Sequence, residues 1–290
     1  MVSRMNTMAT SQCSESDTPD VILDKTATLT INLVLQSAYM KHYRNEKYKP
    51  LSLLLIGIAG TGKSRLLQTL RKLRFITYLD DATPTYLVKF LEKAKTGKKR
   101  FLVFPDFLNL TTSHGQKTKA TSMAILRTMI EDGITDLSDF KLEFQSKFPV
   151  KAGLITATTI GSFQEFMHRW KTTGFLSRLI PFSFTHSTAT QNKIINNLEN
   201  KIQDTMINYE YTINRYPQPI KTSPILLHQL SVYGEALGKE TIAMPYRADI
   251  QLHTLAESLA IIEGCDVLTQ KHVDKIVELL HYINYDFNDI

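Results

Sequence analysis

Leu51-Ser52-Leu53-Leu54-Leu55-Ile56-Gly57-Ile58-Ala59-Gly60-Thr61-Gly62-Lys63-Ser64 decides how the rest of the chain is read. Its first part is a short continuous apolar run, the pattern of a strand buried on both faces. Its second part, Gly57 to Ser64, fits G-x-x-x-x-G-K-[ST] at every fixed position. Phosphates need several backbone N–H donors turned inward, and glycines let the chain curl tightly enough to supply them. The expected nucleotide-binding set is Gly57, Ile58, Ala59, Gly60, Thr61, Gly62, Lys63, Ser64 and Arg65. In this pattern Lys63 reaches the β and γ phosphates and the Ser64 hydroxyl sits on Mg²⁺. A helix starting here adds its N-terminal dipole. The expected ligand is ATP with Mg²⁺.

Working outward, strand and helix signals alternate. Strands are expected at Leu51–Ile56, Phe75–Leu79, Phe101–Phe104, Leu154–Ala157 and Ile180–Phe184. Helices are expected at Ser64–Leu73, Thr83–Lys95, Thr121–Glu131 and Ser162–Lys171. Pro84 suits a first helical turn, Gly133 closes a helix, and Pro181 argues for an edge strand. This alternation predicts an α/β fold, a parallel five-stranded sheet with helices on both faces. A helix over Asp24–Tyr43 and a basic stretch, Lys41 to Lys49, precede it. After about Thr188 strand signals stop, and helices are expected at Gln191–Tyr211, Ser223–Ala236, Ala248–Ile262 and Lys271–Leu280. The expected organisation is a disordered polar tail over 1–20, a nucleotide-binding α/β domain over 21–188 and a small helical lid over 189–290.

Composition narrows the classes. The chain has 290 residues, 43% of them apolar. No apolar run reaches the roughly 18 residues of a membrane span, and the polar N-terminus has no signal-peptide core. Its two cysteines, Cys13 and Cys265, form no C-x-x-C and no Cys/His cluster. A reducing, cytoplasmic setting without zinc or membrane is the expectation. The net charge of +6 suits a nucleic-acid partner, although many soluble proteins are mildly basic.

Four further positions belong with the loop. Phe101 to Asp106 is an apolar strand ending in an acid, the form of a Walker B element, where Asp106 holds Mg²⁺. The plain alternative is a turn Asp after a core strand. Phe107 then stands where such ATPases carry a Glu that polarises the attacking water. Asp80, Asp81 and Glu131 are the candidate substitutes; otherwise hydrolysis is slow. Leu154 to Thr159 ends in hydroxyls, and Thr158 is the choice for positioning water, against a simple strand preference of Thr. Arg178, just before the fifth strand, suits an arginine finger reaching into a neighbouring subunit, against a surface Arg. Arg247, opening a late helix, can reach a γ-phosphate from the lid, against a solvated helix start. Catalytic roles are thus expected for Lys63, Asp106, Thr158, Arg178 and Arg247, and metal ligation for Ser64 and Asp106.

In this order the residues resemble the AAA+ ATPase superfamily, over roughly Leu51 to Leu280. Leu126 to Gly133 with Lys151-Ala152-Gly153, and the stretch Arg247 to Leu280, look like the branch that holds minichromosome-maintenance helicases and MoxR-type ATPases. The resemblance implies a homo-oligomeric ring or spiral with each nucleotide between neighbours, where Arg178 reads the γ-phosphate in trans. The polar loop Thr111 to Ser122 is the expected partner-binding element, with Lys117 and Lys119 on DNA phosphates, against a solvated loop. Three functions follow: an ATPase acting on DNA, a MoxR-like remodeller of a protein partner, and a nucleotide-gated scaffold with slow or no hydrolysis. A small-molecule kinase leaves Arg178 and the helical domain without a role.

Overall fold

The apolar run at Leu53–Gly57 becomes β1, one strand in from the edge of a parallel sheet. In the computed structural model, residues 25–41, 50–108, 115–139, 142–183, 210–215, 219–240 and 245–283 are described. The elements before the sheet's last strand are α1 (Lys25–Ser37), β1, α2 (Lys63–Gln68, continued by a 3₁₀ turn Thr69–Lys72), β2 (Ile76–Tyr78), α3 (Pro84–Lys95), β3 (Phe101–Phe104), α4 (Gln116–Glu131), β4 (Ile134–Asp139), β5 (Leu142–Val150), β6 (Gly153–Thr159) and α5 (Ile160–Thr172). A 3₁₀ turn, Leu176–Arg178, leads into β7 (Ile180–Ser183), and the C-terminal helices are α6 (Pro224–Glu240), α7 (Pro245–Ile262) and α8 (Gln270–Leu280).

The five parallel strands run in the order β2-β3-β6-β1-β7. All five expected strands are present, and Pro181 does lie on an edge strand, where its missing N–H breaks no ladder. Side chains alternate between the two faces. Leu53, Leu55, Phe101, Val103, Ile155 and Phe182 pack with α1, α2, α7 and α8. Leu54, Ile56, Leu102, Phe104 and Leu154 pack with α3, α4 and α5. The result is a helix–sheet–helix sandwich in which the C-terminal helices share a core with one sheet face.

Local chemistry sets the joints. Thr83 accepts a hydrogen bond from the Tyr86 N–H at the start of α3, with Pro84 in its first turn. Gly153 opens β6 where a Cβ would meet the Phe101 ring at 2.2 Å and the Leu51 carbonyl at 2.5 Å, so any larger residue must push these groups aside. The Asp249 backbone comes within 2.7 Å of where a Cβ on Gly234 would sit, which sets how tightly α6 and α7 pair.

Two expectations change. The helix expected from Thr121 begins at Gln116, so Lys117 and Lys119 ride on its first turn and not on a loop. The antiparallel hairpin β4–β5 was not expected; Ile134, Leu142, Phe144 and Val150 turn inward with Leu137 partly buried beside them, and a register shift between Ile134 and Asp136 blurs the alternation. The expected tail over 1–20, most of Lys41 to Lys49, the stretch 111–114 of the loop, the helix Gln191–Tyr211 up to 209 and the boundary at 188 lie outside the described residues.

Candidate nucleotide site and arginine cluster

Gly57 ends β1, and the chain then turns through Ile58 to Gly62 before α2 begins. Gly60 and Gly62 have φ of +87° and +75°, values that side-chain-bearing residues rarely adopt. A Cβ at either would meet nothing within 4 Å, so the glycines serve the backbone path and face open space. The Lys63 ammonium is folded under the loop, donating to the carbonyls of Gly57 (2.8 Å) and Ile58 (2.7 Å) and to the Thr61 hydroxyl (3.2 Å). Burial lowers the pKa of Lys63, and the nearby Asp106 carboxylate works against that shift. Ile58, Ala59, Gly60 and Ser64 are exposed, and Arg65 is half-buried.

The sheet register brings the other groups beside this loop. Gly57 pairs with Thr159 and Ile56 with Thr158, while Phe104, two residues before Asp106, pairs with Thr156. The chain leaves β1 toward the β2 edge and leaves β6 past β1 to β7, so the two connections diverge. A crevice at the C-terminal ends of strands with diverging connections is where open α/β sheets take ligands.

Three threonine hydroxyls end β6, and their partners tell them apart. Thr156 donates to the Phe104 carbonyl (2.9 Å), and Thr159 caps α5 through Ser162 (3.2 Å from its N–H). Thr158 is 2% exposed, and its hydroxyl has no hydrogen-bond partner among the described residues. Such a group costs free energy unless something else meets it. Asp106 accepts from the Leu108 N–H (2.9 Å) through one oxygen.

Phe107 has a physical reason to be apolar. Its fully buried ring lies parallel to Phe175 (centroids 5.2 Å, planes 10° apart) and edge-on to Trp170 (5.0 Å). Position 107 therefore points into the aromatic core under α5 and away from the crevice. None of the candidate substitutes stands in for a Glu there. Asp80 and Asp81 follow β2, three strand spacings from β1, or about 14 Å. Asp81 also accepts from the Ala82 N–H (2.7 Å). Glu131 ends α4 and is held by arginines elsewhere.

Those arginines are Arg178 and Arg247. Glu131 faces the Nε of Arg178 at 3.8 Å and that of Arg247 at 3.5 Å. Arg247 also donates to the Ser177 hydroxyl (2.6 Å), and Arg178 donates to the Gly174 carbonyl. Burial first, then the neighbouring Arg247 guanidinium, lowers the pKa of Arg178. Arg178 precedes β7, whose Ile180 pairs with Leu53 at the start of β1. The height of β1, roughly 13 Å over its five residues, lies between that end and Gly57. The structure thus joins Arg247 to Arg178, at the end of the sheet remote from the loop. Glu131 as their joint partner, and Ser177 as the acceptor for Arg247, follow only from contacts between α4, the turn and α7.

Lys117 is exposed on α4. Lys119 lines a cleft of about 160 Å³ between α4 and α5, with Arg127 and Arg169 as further cations over Met123, Phe166 and Trp170. No helix among the described residues is long and apolar enough to cross a membrane. No protein-family model matches the chain, and no curated protein is significantly similar to it.

Proposed function

We propose that this chain is a P-loop ATP-binding protein of the AAA+ kind, with its nucleotide shared between copies and its nucleotide cycle directed at DNA. The geometry of the loop carries the reading: Lys63 clamped on its carbonyls, left-handed Gly60 and Gly62 facing open space, and the orphaned Thr158 hydroxyl beside them. ATP phosphates replace the carbonyls as partners of Lys63, and the loop's N–H groups turn to them. Ser64 and Asp106 would hold Mg²⁺, which would supply positive charge against the phosphates. Thr158 orients water. Arg178 and Arg247, a sheet's height from their own loop, meet the nucleotide of a second copy.

DNA is the favoured partner because the chain is basic and because Lys119, Arg127 and Arg169 cluster on α4 and α5. The burial of Phe107 favours slow turnover, hence a nucleotide-gated switch over a fast motor. The test is titration of a fluorescent ATP analogue with Mg²⁺ into the chain and into Lys63→Ala. A roughly hundredfold loss in the variant is expected from removing a charged hydrogen-bond donor. Equal affinity in both sinks the reading. DNA anisotropy at rising salt tests the partner. If DNA neither binds nor alters turnover and assembly, the MoxR-like remodeller of a protein partner replaces the DNA reading.

A further inference from the structure

We infer that Glu131 is an internal counterion that occupies the Arg178–Arg247 pair in the lone chain and yields it to the nucleotide phosphates of a second copy. The inference rests on the proposed nucleotide reading and adds the step that controls assembly. One carboxylate faces two guanidiniums, at 3.8 and 3.5 Å, so each contact is an ion pair too long for a hydrogen bond. Neither Arg178 Nε nor Arg247 Nε has a hydrogen-bond acceptor among the described residues, although both atoms are buried. Buried donors without acceptors are costly, and charged ones more so.

Charge points the same way. Arg127, Arg178 and Arg247 set three positive charges against the two of Glu131 and Asp132. The cluster is short of one negative charge and of at least two acceptors. A terminal phosphate supplies both, with oxygens placed for planar guanidiniums. The cluster is also mechanically ready. Ser177 and the Gly174 carbonyl hold one nitrogen of each guanidinium, so the arginines stay aimed when Glu131 lets go. Its side chain is 17% exposed, as are those of Arg178 (18%) and Arg247 (16%), so the pair is reachable from solvent. Glu131 therefore keeps the arginines compensated before assembly and taxes any contact that lacks a phosphate.

Glu131→Gln keeps the shape and removes the charge. Sedimentation velocity of the full chain, with and without ATP–Mg²⁺, would compare it with wild type, Arg178→Ala and Arg247→Ala, and nucleotide titration would run on the same samples. Glu131→Gln should bind nucleotide as wild type does yet assemble at about tenfold lower ATP-loaded protein concentration. Arg178→Ala and Arg247→Ala should fail to assemble at the ATP–Mg²⁺ and protein concentrations that assemble wild type. A purely structural ion pair predicts the reverse for Glu131→Gln: a lowered Tm with assembly unchanged or weakened, and that result overturns the inference. If Glu131→Gln is poorly folded, Glu131→Asp, which keeps the charge and shortens the reach, should assemble at lower concentration than wild type; unchanged assembly overturns the inference equally. Failure of wild type to bind ATP would instead overturn the nucleotide reading itself.

Discussion

Phe107→Glu separates a reading by motif from a reading by packing. By motif, the substitution restores a missing general base and should speed turnover. By packing, it drives a carboxylate between Phe175 and Trp170, where the native ring is fully buried. Removing a buried Phe side chain costs about 3–5 kcal/mol through lost transfer energy and the cavity left. Two aromatic contacts add roughly 0.5–1.5 kcal/mol each, and an unpaired buried carboxylate adds several kcal/mol more unless it takes up a proton. The sum rivals the ~5–15 kcal/mol that holds a typical domain folded. Phe107→Glu should therefore be largely unfolded at 37 °C. Phe107→Ala should lose about 6–20 °C in Tm, at about 2–4 °C per kcal/mol for a chain of this size class. Phe107→Leu, nearest in volume, should lose least and turn over ATP at the wild-type rate. The assays are thermal unfolding followed by circular dichroism and phosphate release with Lys63→Ala as the blank. A Phe107→Glu protein that melts within about 2 °C of wild type and hydrolyses ATP faster would show that position 107 faces the nucleotide, and the reasoning would fail.

Other perturbations give sharper contrasts between stability and function. Thr158→Val removes an unpartnered buried hydroxyl without changing shape, so Tm should hold or rise slightly while turnover falls roughly 10–100-fold; a large loss in Tm would mean the hydroxyl has a structural partner. Gly153→Ala should do the opposite, costing about 1–3 kcal/mol in urea unfolding because the new methyl meets Phe101 and the Leu51 carbonyl, with nucleotide affinity unchanged in the folded fraction. His272 closes a capping box on α8, its Nδ1 accepting from the Thr269 N–H at 3.0 Å, and that nitrogen must be unprotonated. Burial lowers its pKa, against the pull of Glu263, so the folded state binds fewer protons than the unfolded one. The cap's contribution, about 1 kcal/mol, is present above the unfolded His range near 6.5 and is lost as pH falls below it; Tm measured from pH 7.5 to 5 should drop more in wild type than in His272→Asn.

Local chemistry was legible in the chain, and convergence was not. Leu51–Ile56 reads as a buried strand and Gly57 to Ser64 as a tight loop because each depends on neighbours along the sequence. Pro181 gives away an edge by what it lacks, a donor. The hairpin β4–β5 escapes because its outer face is polar, its inner face has few apolar residues, and a register shift interrupts the alternation. Lys117 and Lys119 look like loop residues because Thr111 to Ser122 is rich in small polar side chains, yet α4 reaches back to Gln116. Phe107 is the case where pattern and packing collide. A motif records which side chain other proteins place after the strand's acid; the structure shows where this one points, into a stack with Phe175 that no carboxylate could join. Arg178 and Arg247 show the same limit from the other side. Each can be nominated alone from its place beside a strand or a helix start. That they share one carboxylate, at the end of the sheet remote from the loop, follows only from α4, the turn before β7 and α7 meeting in space. The meeting also changes what each arginine can do. A single arginine at a helix start is free to swing toward its own nucleotide, whereas two anchored at one end of the sheet can act together only on a phosphate brought to them.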